Sequence, residues 1–178
     1  MENSKLMTAD EFLAWDDGTD TRYELADGVA RAMPQPSGPH RTVVANAGGI
    51  IFNALGDRRP CRGENDACLG ISQHVIWRAD IVVTCQPAAR EIVDPLLIVQ
   101  LLSRSTVDHD LGRKLNDFKA FPSVREIWMI DSERHWFQLW RRDGDRWTGR
   151  DLVGAAAFDS GTLGCVVELD EVYADSGL

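Results

Sequence analysis

The longest uninterrupted apolar stretch is "PLLIVQLL", residues 95–102, made of Leu, Ile and Val apart from the opening proline and Gln100. A run of this kind predicts a strand buried on both faces, near the middle of a sheet. Around it the pattern changes period several times. "TADEFLAW" carries Thr8 and Glu11 at capping-box spacing and predicts a short N-terminal helix. "RYELADGVARAM" predicts a hairpin turning at Asp27-Gly28, and residues 40–55 predict a helix, interrupted in propensity by Gly48-Gly49. Strand-like pieces follow at Val75 to Trp77 and Ile81 to Val83. After the apolar strand, "STVDHDLGRKLNDFKAF" predicts a helix that stops before Pro122. "REIWMID", "HWFQLWRR" and "DRWTGRDLV" then read as three strands separated by turn signals. A short strand at Cys165 to Val167 and a helical turn in "ELDEVYA" close the chain. The expected architecture is mixed α/β (α+β), with a hairpin-rich C-terminal half and one domain over residues 1–178.

Composition narrows the setting. With 178 residues, 44% apolar and 26% charged, the chain can bury a sizeable core. No apolar segment reaches the ~20 residues that span a bilayer, and the N-terminus lacks a signal-peptide core, so no membrane association and a cytoplasmic location are expected. Cys61, Cys68, Cys85 and Cys165 lack zinc-site spacing and are expected to be reduced, partly buried small hydrophobes. The net charge of −9 argues against a broad nucleic-acid-binding surface while permitting a local basic groove.

Candidate chemistry begins with Lys114. At 100° per residue Leu111, Leu115 and Phe118 share one helix face, and Lys114 falls beside Phe118 on it. Asp110 lies one turn earlier and could pair with that lysine. On the apolar strand Gln100 shares a face with Leu96, Ile98 and Leu102. Asp80 is placed at a strand start, and Glu24 inside the first hairpin strand. Each has a structural alternative: a snorkelling lysine, a satisfied core amide, a turn aspartate, a solvent-facing glutamate. Together they form an oxygen-rich set with an inward lysine, suited to Mg²⁺ or Mn²⁺ and to phosphodiester hydrolysis. "DHD" at 108–110 also fits a His-Asp metal pair, but such phosphohydrolases resemble helical bundles, and this chain is strand-rich. The aromatic strand "HWFQLWRR" with Trp147 fits base stacking, a core or a partner surface; an exposed partner surface is the reading adopted, and with it a homodimer.

Over nearly the whole length the chain resembles the Uma-type family of bacterial proteins classed with restriction endonucleases, a domain of unknown function with the PD-(D/E)XK nuclease-like fold. The resemblance rests on "MTADEFLAW", "RYELADG", "MPQPSGPH", "RADIVV", "LLIVQLLSRSTVDHDLGRKLNDF", "VREIWMIDSERHWFQLWRR" and "ELDEVY". It implies a restriction-endonuclease-like core, a central mixed sheet flanked by helices, and metal-dependent cleavage of DNA. The implied catalytic residues are Asp80, Gln100, Lys114 and Glu24. Asp80, Gln100 and Glu24 are the implied ligands of Mg²⁺ or Mn²⁺, with His40, Ser103 and Asp110 lining the site and Thr106 in the same polar loop. Three positions depart from the family pattern: Ala79 replaces a proline, Gln100 replaces a glutamate, and Leu102 stands where many such nucleases have lysine. The charge lost at Gln100 sets a second expectation beside the first, a catalytically inactive nuclease fold serving as a binding or scaffold module.

Overall fold

The computed structural model describes residues 6–103 and 110–178. Helix α1 (Ala9–Ala14) starts at the expected capping box, with Glu11 N–H donating to Thr8 Oγ1 and Thr8 N–H donating to Glu11. Strands β1 (Tyr23–Ala26) and β2 (Val29–Ala32) form the predicted hairpin. Its turn places both Asp27 and Gly28 at positive φ, 52° and 78°. Helix α2 (Gly38–Leu55) runs straight through Gly48-Gly49. A Cβ at Gly48 would meet Ile81 only at 3.8 Å, so no close approach demands that glycine.

The strand-like pieces between residues 61 and 84 join into two long antiparallel strands, β3 (Arg62–Ser72) and β4 (Val75–Thr84). Strand β5 (Pro95–Leu102) is the apolar run. A π-helical turn, Asp110–Lys114, leads into helix α3 (Leu115–Ala120). The beginning of the helix expected after Leu102 lies outside the described residues, as do Thr106 and His109. Strands β6 (Glu126–Asp131), β7 (Trp136–Asp143) and β8 (Arg146–Val153) follow, then β9 (Ala157–Ser160), β10 (Cys165–Glu168) and helix α4 (Leu169–Val172).

The main sheet has the order β2-β1-β4-β5-β6-β7-β8, with β3 also paired to β4; β9 and β10 make a separate ribbon. Among the described strands only β5 and β6 pair in parallel, so the chain must cross over between them, and the π-turn and α3 belong to that crossover. One sheet face packs on α2 and α4 through Val43, Ala47, Ile51, Leu169 and Val172. The other packs on α3 through Leu115 and Phe118. This is the mixed sheet flanked by helices that the family resemblance implies. No helix among the described residues is long and apolar enough to cross a membrane.

Two expectations are corrected here. Cys61 and Cys85 form a disulfide, with Cα atoms 3.9 Å apart. The register that pairs Arg62 with Thr84 brings the next residue of each strand face to face, a proximity that their spacing along the chain does not reveal. Cys68 and Cys165 are free and partly buried, and burial raises the pKa of both thiols. The aromatic hairpin, expected as an exposed partner surface, is partly buried against the chain's own core. Trp136, Trp140 and Trp147 pack against the α3-side core, and the Lys119 ammonium covers the Trp140 ring. Trp147 Nε1 donates to the Lys119 carbonyl at 3.2 Å.

The hairpin turn has little slack. A Cβ on Gly28 would stand 2.6 Å from Leu6 Cβ, at a φ that L-residues adopt at a cost of about 1–2 kcal/mol. Gly28→Ala is therefore expected to lower the unfolding free energy by about 2 kcal/mol in urea denaturation, with no change in secondary-structure content by circular dichroism.

Candidate active site

The site lies where the sheet forks. Strands β1 and β5 pair with the same strand, β4, but in different stretches: Leu25 opposes Ile76, while Ile81 opposes Val99. Asp80 sits between those stretches. It is thus a mid-strand residue, not the strand opener expected from "WRADIVVT". The strand also turns over here. Trp77, Ala79 and Val82 all belong to the α3-side core, although strict alternation would put Val82 on the other face. Across from Asp80 on β3, Asp66 adopts a φ of +52° and breaks the regular ladder.

A partly buried carboxylate in a fork needs donors, and Asp80 has three. The Leu101 backbone N–H donates to Oδ2 at 2.7 Å, and the Gln100 side-chain amide donates to the same oxygen at 3.1 Å. His40 Nε2 lies 2.9 Å from Oδ1. His40 reaches Asp80 from the first turn of α2, whose start is fixed by Ser37 Oγ accepting from the His40 N–H.

Gln100 is 4% exposed. Its amide nitrogen is used twice, on Asp80 and on the Leu101 carbonyl at 3.3 Å. Its carbonyl oxygen Oε1 is buried and has no hydrogen-bond partner among the described residues. Such an atom costs about 1–3 kcal/mol unless something meets it.

Lys114 and Glu24 form the other half of the site. The crossover brings Lys114 onto the β1–β4 side of the fork, where it is 2% exposed, and its Nζ stands 2.6 Å from Glu24 Oε1. Lys114 points inward as the helical face predicts, and Glu24, on the distant hairpin, is a carboxylate partner; the side chain of Asp110, the partner expected from the sequence, lies outside the described residues. Glu24 Oε1 also accepts from the Arg78 N–H at 2.8 Å. Arg78 is braced in turn, its Nε on the Tyr23 carbonyl and its Nη1 on Asp66 Oδ2 at 2.8 Å. Asp66, the strained residue, therefore anchors the arginine whose backbone holds Glu24.

Asp80, Gln100, Lys114, Glu24, His40 and Ser103 all line one cleft of about 680 Å³. Asp110 contributes its backbone to the π-turn; its side chain is outside the described residues. The cleft has further lining that the sequence reading missed: Arg22 just before the hairpin, Arg31 on it, Met33 to Pro36 after it, and Glu133. A signal for Arg31 was present. A two-residue turn at Asp27-Gly28 pairs Glu24 with Arg31, and cross-strand partners share a face.

Oxygen donors suit a divalent Mg²⁺ or Mn²⁺ ion, and the site holds two kinds: the Asp80 carboxylate and the Gln100 Oε1, which has no hydrogen-bond partner among the described residues. The set is lean. The described residues contain no cluster of three or more acidic, histidine or cysteine side chains able to hold a metal, and Gln100 supplies no charge.

The fold is a mixed α+β sheet flanked by helices, and comparison with known proteins shows where it belongs. Residues 9–162 match the family model Uma2, described as "Putative restriction endonuclease", and the chain belongs to that family. Two uncharacterized proteins of Synechocystis, slr1290 and sll1609, are 25% and 24% identical to it. The first alignment covers 94% of this chain and 91% of the relative; the second covers 86% and 92%. Among solved structures, a DUF820 protein of Anabaena variabilis titled "a putative nuclease" superposes with a TM-score of 0.73 at 16% identity, covering 94% of this chain and 98% of its own. That likeness establishes the fold.

Removing one member of a buried ion pair leaves an uncompensated charge and typically costs about 3–5 kcal/mol. Lys114→Met is expected to destabilise the protein by about 3 kcal/mol in urea denaturation. The double variant Glu24→Gln/Lys114→Met should recover more than half of that loss, because neither charge then remains.

Proposed function

We propose that this protein hydrolyses DNA phosphodiester bonds with a divalent ion, Mg²⁺ or Mn²⁺, held between Asp80 and the carbonyl oxygen of Gln100. The observation that carries this reading is the buried Gln100 Oε1, which has no hydrogen-bond partner among the described residues and belongs to an amide bonded to the Asp80 carboxylate. The bound ion would supply positive charge to offset the charge that develops on the phosphoryl oxygens.

The chain's own residues do the rest. His40 and the Leu101 N–H fix the Asp80 carboxylate in one orientation. Glu24 holds the Lys114 side chain in place, so Lys114 can contact a phosphate oxygen or orient the attacking water. In this reading Glu24 is a positioning residue, since its Oε1 is taken by Lys114 and Arg78. That differs from the metal-ligand role implied by the family resemblance. Ser103 sits at the cleft wall, where it can contact substrate.

One observation favours a second reading, a nuclease fold that binds without cutting. The Gln100 amide donates to Asp80 Oδ2, and His40 meets Oδ1, so both carboxylate oxygens have partners before any ion arrives. A glutamate at position 100 would repel Asp80 when ionised and would leave that oxygen open to a cation.

Calorimetric titration of Mn²⁺ into protein stripped with chelator separates the two readings. Hydrolysis requires saturable binding that Asp80→Ala abolishes and that Gln100→Glu strengthens by at least about tenfold, because an added charge near a cation is worth several kcal/mol at surface dielectric. If neither the parent protein nor Gln100→Glu binds Mn²⁺ better than Asp80→Ala, the metal-dependent reading is wrong and the binding module stands.

A further inference from the structure

The β7–β8 hairpin packs one face on the α3-side core, but its outer edge is bare. Strand β8 ends the main sheet, and among the described residues no strand pairs with its far side. The hairpin turns through Gly144-Asp145, with Gly144 at a φ of 57°, so Asp143 and Arg146 form the closing, hydrogen-bonded pair. Alternation from that pair points the backbone groups of Thr148, Arg150 and Leu152 at β7 and those of Trp147, Gly149, Asp151 and Val153 outward. Strand β7 is in the same phase. Arg142, opposite Trp147, donates its N–H away from β8, to the Arg125 carbonyl at 2.9 Å. The outward groups of β8 have no backbone hydrogen bond among the described residues.

A long open edge invites another strand, and proteins that stay single blunt it with proline, a bulge, a covering loop or charge. Strand β8 has no proline, and its register with β7 runs unbroken from Arg146 to Val153. It does carry charge, at Arg146, Arg150 and Asp151, and the placement of those charges selects a partner. In a two-fold antiparallel pairing, one residue faces its own copy. Centred on Arg150 or Asp151, the pairing would set like charges opposite each other. Centred on Thr148, it would oppose Arg146 of one copy to Arg150 of the other. Centred on Gly149, Thr148 faces Arg150, Trp147 faces Asp151 and Arg146 faces Leu152, with no like-charge pair. Centring nearer either end shortens the ladder. The stretch from Asp145 to Val153 holds two arginines and two aspartates, so it is neutral in a chain of net charge −9. Two copies can meet there without the repulsion that the rest of the surface imposes.

Gly149 also suits the axis sterically. A Cβ there would stand 2.7 Å from the Trp140 ring, so the ring lies over the glycine, at the very edge of the sheet. Trp140 and Trp147 are only half-buried within one chain. Pairing about Gly149 brings the two Trp140 rings together over the axis and covers more of both tryptophans. We propose that β8 docks a second copy of this chain, antiparallel about Gly149, joining the two main sheets into one. A self-paired edge closes on itself. Pairing of β8 with the four-residue edge β2 of another copy would instead build open chains. The cleft strands β1, β4 and β5 lie away from this edge, so the proposal is independent of what the cleft does.

Sedimentation velocity of the full chain over a dilution series tests this. A dimer should form by about 100 µM and dissociate on dilution, as an interface at the small end of the size range does. Thr148→Lys sets a lysine opposite Arg150 of the other copy and should raise the dissociation constant about fivefold. Thr148→Glu sets a glutamate there and should lower it by a similar factor. Asp151→Pro removes an outward N–H, which an edge strand tolerates, and should abolish the dimer with the circular dichroism unchanged. Phe52→Ser, at an exposed aromatic on α2, should leave the dimer as it is. A monomer at every concentration, assemblies larger than a dimer, or loss of the dimer in Phe52→Ser would each overturn the proposal. So would lysine and glutamate at position 148 shifting the equilibrium in the same direction, or not at all. That opposed pair of variants decides the matter even where Asp151→Pro fails to fold.

Discussion

Two strands compete for one edge of β4, and the fold resolves this by giving each a different stretch. Strand β1 takes the residues before Asp80 and β5 those after it. Where they part, backbone donors of a continuous ladder are left over. The Leu101 N–H is one, and it is met by the Asp80 carboxylate. A side chain thus does at the fork what a neighbouring strand does elsewhere. Everything else in the cleft is arranged around that substitution. Gln100 precedes Leu101, His40 descends from α2 onto the remaining oxygen, and the crossover drops Lys114 into the open side of the V.

The fork also explains why the lysine arrives from a helix. A residue on β5 at position 102 faces the α3-side core, where Leu102 is fully packed. The crossover helix must cover that same core to bury Leu115 and Phe118, so a neighbour of those residues reaches the sheet without disturbing the strand. Its charge is tolerable there because Glu24 is close enough to compensate and is itself held by the Arg78 N–H. Two separate ladders, β1–β2 and β3–β4, converge on this one ion pair. The left-handed backbone at Asp66 is then consistent with function: its carboxylate links Arg22 on the cleft wall to Arg78 behind Glu24.

Much of this was legible in the sequence, for identifiable reasons. The hairpin, the capped first helix, the buried strand and the inward Lys114 follow from local chemistry and period, which short segments encode on their own. The fork does not. Asp80 looks like a strand opener because the β-branched run begins after it, and only the pairing of β4 with β1 and β3 shows that the strand already continues before it. The Cys61–Cys85 disulfide and the Lys114–Glu24 pair were hidden for the same reason, since both depend on register between segments far apart in the chain. The aromatic hairpin misled differently. Alternating tryptophans predict a sticky face whether the partner is another chain or the chain's own helix, and here it is α3 and Lys119.

Gln100 is where local and tertiary readings meet. In an all-apolar strand it is an anomaly, and a satisfied core amide would remove the anomaly entirely. The structure satisfies only half of it: the nitrogen is bonded twice and the oxygen not at all among the described residues. The difference between the two halves is informative. An amide can hold Asp80 in place by donating to it, which a glutamate at the same position could do only when protonated. The same amide still offers an acceptor on its other side. The replacement therefore trades charge for self-sufficiency. The fork is held closed without a cation, at the cost of the negative charge that would draw one in.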